Sequence, residues 1–305
     1  MAAGGVRGGS PPLDYQITRR AYALLLVVIL LWSGNFPLGK LAVGQLGPLT
    51  LTAGRALIAA PLLFVLARLT APRNRPFSRR DWTAFVVLGL TGLVLNTTTW
   101  FWGLSLTTAL NAGILGAASP IFTALAAAVV LGDQLRQRAW AGIGLTVLAV
   151  LVTVSKGSVA TLLAFEVNRG DLIILASQAA WVTYSLYSRA AASTLPAVWV
   201  MAGAHAVGGL VLVPLAMVFE APWRTWHTAP IGWAVVVYGA VPVTLGHLWF
   251  YGVVRAIGPG RASAFLNLMP FVVLGLSWLL LGETIHAYHV VGALLVIAGV
   301  ALAAR

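Results

Sequence analysis

The chain has 305 residues, of which 60% are hydrophobic and only 9% charged, and it has no cysteine. A soluble domain carries about 25% charged residues, so these charges cannot clothe a water-facing surface, and a bilayer is the solvent that accepts the composition. The missing cysteines exclude disulfides, thiolate metal sites and cysteine nucleophiles, while the net charge of +12 reads as a topology signal rather than as nucleic-acid binding, because the basic residues sit at span ends and in loops.

Residues 1–18, rich in Gly and Pro, read as a disordered cytoplasmic tail without the pattern of a signal peptide. Ten apolar runs follow, at about 21–42, 48–69, 82–105, 108–131, 138–155, 171–190, 196–219, 230–254, 262–281 and 286–304. They are too long for barrel strands, and only helices and closed barrels satisfy the backbone in lipid, so all ten are expected to be helices.

The first span carries Trp32, Asn35, Phe36 and Gly39 at i, i+3, i+4, i+7, on one face. In the second span, Arg55 lies some seven residues in, close enough to the outer interface to snorkel. The third places Asn96, Thr99, Trp100 and Gly103 on one face, beside Trp102. Ser119 precedes Pro120 in the middle of the fourth. The sixth presents Gln178, Trp181 and Ser185, with Tyr184 beside them, the eighth His247 and Tyr251, and the ninth Asn267 close to Pro270.

Polar groups inside a membrane are costly and mark function or helix-to-helix bonding. The recurrence of these faces favours a central cavity lined by the first, third, fourth, sixth, eighth and ninth spans. The candidate binding residues are Trp32, Asn35, Asn96, Trp100, Trp102, Ser119, Gln178, Trp181, Tyr184, His247, Tyr251 and Asn267. Pro120 and Pro270 kink their helices, free the carbonyls of Gly116 and Leu266 and are candidate hinges. His205 and His247 are the groups able to titrate near neutral pH, although a lone helical His is more often a packing residue.

Ten spans put both termini on one side. That side holds Arg7, Arg19, Arg20, Arg68, Arg73, Arg75, Arg79, Arg80, Arg136, Arg138, Arg189, Arg255, Arg261 and Arg305, and the other only Lys40, Lys156, Arg169 and Arg224. The positive-inside rule makes the first side cytoplasmic. The expected location is a plasma (inner) membrane crossed many times.

The halves repeat each other. Pro120 and Pro270 are 150 residues apart, as are Leu131-Gly132-Asp133 and Leu281-Gly282-Glu283, and Gly142 and Gly292. Trp100-Phe101-Trp102-Gly103 recurs as Trp249-Phe250-Tyr251-Gly252, and Trp32 as Trp181, at an offset of 149. The first repeat is 19–156 and the second 157–305. Five spans is an odd number, so the second copy enters from the opposite side. The expected fold is therefore all-α and integral to the membrane, with ten helices in two inverted-topology repeats around a central cavity.

This doubled pattern, Pro … Leu-Gly-acid … Gly, resembles the paired EamA domains of the drug/metabolite transporter superfamily, over residues 20 to 304. Within it the chain is most similar to the amino-acid exporters of the YddG type. The resemblance implies alternating access and export of neutral and aromatic amino acids and related small metabolites. Two other carrier types of the superfamily stand as alternatives: multidrug carriers, and nucleotide-sugar or phosphate carriers, which would need several cavity cations. An intramembrane enzyme is the alternative from another class, but there is no phosphate-binding loop, no HExxH and no acid near a membrane serine or histidine.

All seven acidic residues, Asp14, Asp81, Asp133, Glu166, Asp171, Glu220 and Glu283, fall in tails, loops or span ends. With no carboxylate at the midplane, facilitated rather than proton-coupled transport is expected. The expected partners are a small substrate and the bilayer, with no cofactor, metal or nucleic acid. A monomer suffices for transport, and the sequence does not give the oligomeric state.

Overall fold

The computed structural model describes residues 15–132, 134–164, 166–191 and 195–303. The expected tail up to residue 14, Asp133 of the repeat motif and Arg305 lie outside them. The described residues are helical apart from turns.

The ten expected spans are present. The first helix is Tyr15–Val43. It starts inside the stretch expected to be tail, because nothing between Pro12 and Gly34 breaks a helix. The second is Pro48–Thr70, the fifth Gln137–Val154, the sixth Arg169–Ala191, the seventh Ala197–Phe219 and the tenth Ala287–Ala303. Among the described residues, seven helical stretches are long and apolar enough to cross a membrane, and Met269–Leu281 and Ala287–Ala303 are shorter apolar helices. The sixth is more polar, with Ser177, Gln178, Thr183 and Ser185.

Four spans are interrupted, in two repeat-related pairs. The fourth breaks at Ala118 into Ala109–Ala117 and Ser119–Leu131, and the ninth breaks between Pro259–Leu266 and Met269–Leu281. Pro120 and Pro270 cause these breaks, since each lacks an N–H and crowds the turn before it. The Gly116 carbonyl near the first break is taken by the Ser119 hydroxyl at 2.5 Å. The third span runs Arg79–Leu88, a π-helical stretch Gly89–Thr97 and Thr98–Leu106. The eighth matches it with Pro230–Tyr238, a π-helical stretch Gly239–Val243 and Thr244–Ile257.

The repeat motif has a local cause. Gly132 and Gly282 close the fourth and ninth helices in the left-handed conformation, at φ 72° and 66°, which glycine adopts without a Cβ penalty. Repeat-equivalent helices pack on each other. The second against the seventh and the fifth against the tenth are the two most extensive pairs. Gly142 and Gly299 bring the fifth and tenth backbones together, and a Cβ on either would strike the other's carbonyl oxygen.

One end of the bundle is tied across the two halves by polar groups. Glu220 accepts the N–H groups of Leu49 (3.0 Å) and Thr50 (2.7 Å). Glu283 accepts those of Ala109 (2.9 Å) and Leu110 (3.0 Å). Gln45 accepts from Gly232 N at 2.8 Å. Asp171 receives the Thr107 hydroxyl and Asn111 Nδ2, the latter at 2.9 Å, and Asn111 Oδ1 lies 3.2 Å from His289 Nε2. At the opposite end Trp199 Nε1 donates to Ala71 O at 2.8 Å, and the Arg68 guanidinium lies over the Trp199 ring at 5.8 Å. The ion pair Arg73–Asp81 (2.8 Å) there joins a loop of the first half to the first turn of the third span.

Candidate functional site

The two π-helical stretches set the site. An i→i+5 turn carries one more residue than an α turn. Threonine hydroxyls add bonds to its carbonyls here, Leu93 O already accepting the Thr98 N–H. Thr97 donates to Gly92 O (2.8 Å), Thr98 to Leu93 O (3.3 Å) and Thr244 to Gly239 O (3.2 Å). The widened turns face each other across a cavity of about 170 Å³. About 10–15 Å³ of such volume holds one water, so the space suits a molecule of metabolite size.

Both halves build the wall. The second span contributes Thr52, Arg55, Ala56 and Ala59, and the third Gly92, Leu93, Asn96 and Thr97. The sixth contributes Trp181 and Tyr184, the seventh Met201, Ala204 and His205, and the eighth Gly239, Val243, Thr244 and His247. The second and seventh spans were not expected in the lining, and the first, fourth and ninth, which were, supply none of it among the described residues. Their small residues explain the exchange. Ala56 and Gly209 let the second and seventh helices approach closely, which brings them to the centre.

Of the expected binding residues, Asn96, Trp181, Tyr184 and His247 line the cavity. Asn96 Nδ2 donates to Ser177 O at 3.0 Å. The Trp181 and Tyr184 rings stack at 5.4 Å and 26°, and Gly92 gives Tyr184 its room, since a Cβ there would overlap the ring. His247 holds its Nδ1 2.9 Å from Val243 O.

Trp32 stands behind His247, ring to ring at 4.7 Å, with its Nε1 donating to Val243 O at 3.4 Å. Trp100 packs edge-on against Phe36 at 5.2 Å. Gln178 is 4% exposed and its side-chain amide lies 2.7 Å from Ser119 Oγ, so these two meet each other away from the cavity. Asn35 Oδ1 is buried without a hydrogen-bond partner among the described residues. Asn267 caps the first segment of the ninth span and does not reach the lining.

Trp102 and Tyr251 correct the expectation, being 56% and 58% exposed and outside the lining. Trp102 lies six residues beyond Asn96, about 120° away around a regular helix.

Arg55 and His205 are the residues that sequence reasoning set aside. Arg55 does not snorkel. Its guanidinium carbon lies 5.3 Å from the Phe101 ring centroid, and its Nη1 is buried without a partner. His205 Nδ1 lies 2.8 Å from Met201 O. The signal that would have found them is the repeat itself, because the two stand at equivalent places in the second and seventh spans.

A model of the EamA-like transporter family matches residues 19–155 and again 168–305. An uncharacterized transporter of Bacillus subtilis is 27% identical over 92% of this chain and 92% of its own length. A probable terminal-alkyne amino-acid exporter of Streptantibioticus cattleyicolor is 28% identical over 95% of each. A solved structure with 21% identity aligns at a TM-score of 0.64 over 93% of this chain and 96% of its own, a likeness of fold.

Proposed function

The chain belongs to the EamA-like transporter family, and we propose that this membrane transporter exports neutral and aromatic amino acids and related small metabolites. The observation that carries the reading is the cavity shared by both halves and tied shut at one end. Carboxylates of the second half hold helix starts of the first at the Glu220 end, whereas at the Asp81 end the contacts between the halves include the Trp199–Ala71 bond and the Arg68 guanidinium over the Trp199 ring at 5.8 Å. That asymmetry is what one state of an alternating-access cycle requires. In this reading both termini are cytoplasmic, the closed end is extracellular, and Pro120 and Pro270 are the hinges.

The cavity chemistry fits an amino acid. The Trp181–Tyr184 stack offers ring faces to an apolar side chain or an ammonium. Asn96, Thr52 and the histidines offer polar partners around it. Trp32, Trp100, Ser119 and Gln178 act from behind the wall, as supports of the lining helices. The lining residues described include no carboxylate, which supports facilitated transport. The amino-acid exporter of Streptantibioticus supports the substrate class.

The test is counterflow in proteoliposomes with threonine, methionine, phenylalanine, tryptophan, a nucleoside and a cationic dye, with and without a pH gradient. Amino-acid exchange that persists without the gradient is expected. Strong dye flux with no amino-acid flux would overturn the substrate class, and flux that collapses with the gradient would overturn the uncoupled mechanism.

A further inference from the structure

We propose that Arg55 anchors a carboxylate of the substrate, so that the cavity takes monocarboxylic acids and zwitterions and discriminates against amines. The proposal rests on the transporter reading for what is moved, but it is a statement about binding and can be tested without transport.

Arg55 faces the cavity from the second span, well inside the apolar stretch. Its guanidinium makes no hydrogen bond and no ion pair among the described residues, and Nη1 is buried without a partner. Phe101 supports it from one side at 5.3 Å. On another side the chain leaves it space, since a Cβ on Gly239 would overlap the guanidinium. An arginine in the membrane interior is costly, and elsewhere such residues pair with an anion or a carbonyl. Here Phe101 and Gly239 pack against the guanidinium while its N–H groups have no hydrogen-bond partner among the described residues.

The complementary ligand follows from charge and shape. The guanidinium fork matches a carboxylate with two parallel N–H···O bonds. The titratable groups near it are His205, His247 and Tyr184 in the lining and Tyr238, which interacts with it electrostatically, with no acid in the lining among the described residues to compete. One cation balances one negative charge, which disfavours phosphate esters and diphosphates. An ammonium on the same substrate has the Trp181–Tyr184 rings and the amide oxygen of Asn96, whose Nδ2 is already committed to Ser177 O.

The test is a binding panel on the detergent-solubilised full chain, read as ligand-dependent thermal stabilisation. Its probes are phenylalanine, 3-phenylpropionate, phenethylamine and phenyl phosphate. In wild type, both carboxylates bind at least about tenfold more tightly than phenethylamine, the loss expected for one charge-assisted pair. R55Q weakens the carboxylates by about ten- to a hundredfold and erases the acid-over-amine ratio, while R55K recovers part of it. The wild-type panel stands even if a variant misfolds, which its ligand-free melt would reveal. Equal binding of phenethylamine, tighter binding of phenyl phosphate, no binding of any carboxylate, or an acid-over-amine ratio unchanged in R55Q would each overturn the proposal. Carboxylate binding without any counterflow keeps Arg55 in this role and sinks the transport reading of the substrate. Amino-acid counterflow with an unchanged ratio in R55Q does the reverse.

Discussion

Glu220 lies across the amino end of the second helix, and its carboxylate accepts the N–H of Thr50 at 2.7 Å. Glu283 grips the start of the fourth span in the same way, through Ala109 and Leu110. Each carboxylate belongs to the second half and each helix to the first. The first N–H groups of a helix have no partner within it and carry the positive end of its dipole, so both bonds are charge-assisted. Gly47 stands directly beneath Glu220, where a Cβ would collide with the carboxylate.

Neutralising the two clamps opens that end. The chain has no cysteine, so Thr52→Cys makes a single reporter in the cavity wall. Its reaction with a membrane-impermeant maleimide is expected to speed up by about tenfold in E220Q/E283Q, the effect of about 1.4 kcal/mol shifting the equilibrium toward the open form. Unchanged labelling from that side would mean that the clamps do not hold the end shut.

Asn111 serves two buried partners, donating to Asp171 at 2.9 Å and meeting His289 at 3.2 Å. N111A removes both bonds and leaves two polar groups short of a partner. A loss of about 2–3 kcal/mol of stability is expected, visible as a lower melting temperature in detergent. A melt within a degree of wild type would show that water replaces the amide.

Gly239 is predicted to be irreplaceable for the sake of Arg55, because an added methyl group would displace the guanidinium. G239A should raise the apparent KM for phenylalanine by about tenfold, the loss of about 1.4 kcal/mol of binding. G252A is the control, since a Cβ there meets nothing within 4 Å. It should transport normally and gain up to about 1 kcal/mol of helix stability. Equal effects of the two substitutions in counterflow would separate Gly239 from Arg55.

Trp181 stacks on Tyr184 at 5.4 Å in the cavity wall. W181A removes a large apolar face, worth about 1–3 kcal/mol to a ligand side chain that covers it. The KM for phenylalanine and tryptophan should rise by roughly ten- to a hundredfold and that for alanine by less than about threefold. A uniform rise across the series would mean that Trp181 shapes the helix rather than contacts the substrate.

The number of spans, their helical nature and the doubling were legible because they depend on composition and on a few special residues. Gly132 and Gly282 are visible since only glycine sits comfortably at φ near +70°. The rotation of each helix about its axis was less legible. Asn96, Thr99, Trp100 and Gly103 share a face in a regular α-helix, yet only Asn96 reaches the cavity, while Trp100 turns to Phe36 and Gly103 packs on Ile174. The π-helical stretch ending at Thr97 shifts the phase between them. Such an insertion has no hydropathy signature, and the run of threonines that satisfies its carbonyls reads as polar lining. Arg55 was misplaced for a related reason. Distance from a span end gives depth in the membrane but not the direction a side chain faces, and only the packing of the second helix on the seventh decides that.

The contact of Gly142 with Gly299 joins two helices that contribute nothing to the cavity wall. Part of the frame is therefore written apart from the lining, whereas the second and seventh spans carry both packing and selectivity. Substitutions in the second, third, sixth, seventh and eighth spans can retune which molecule is accepted without disturbing the fifth and tenth, so a lineage could change its cargo while keeping the same frame.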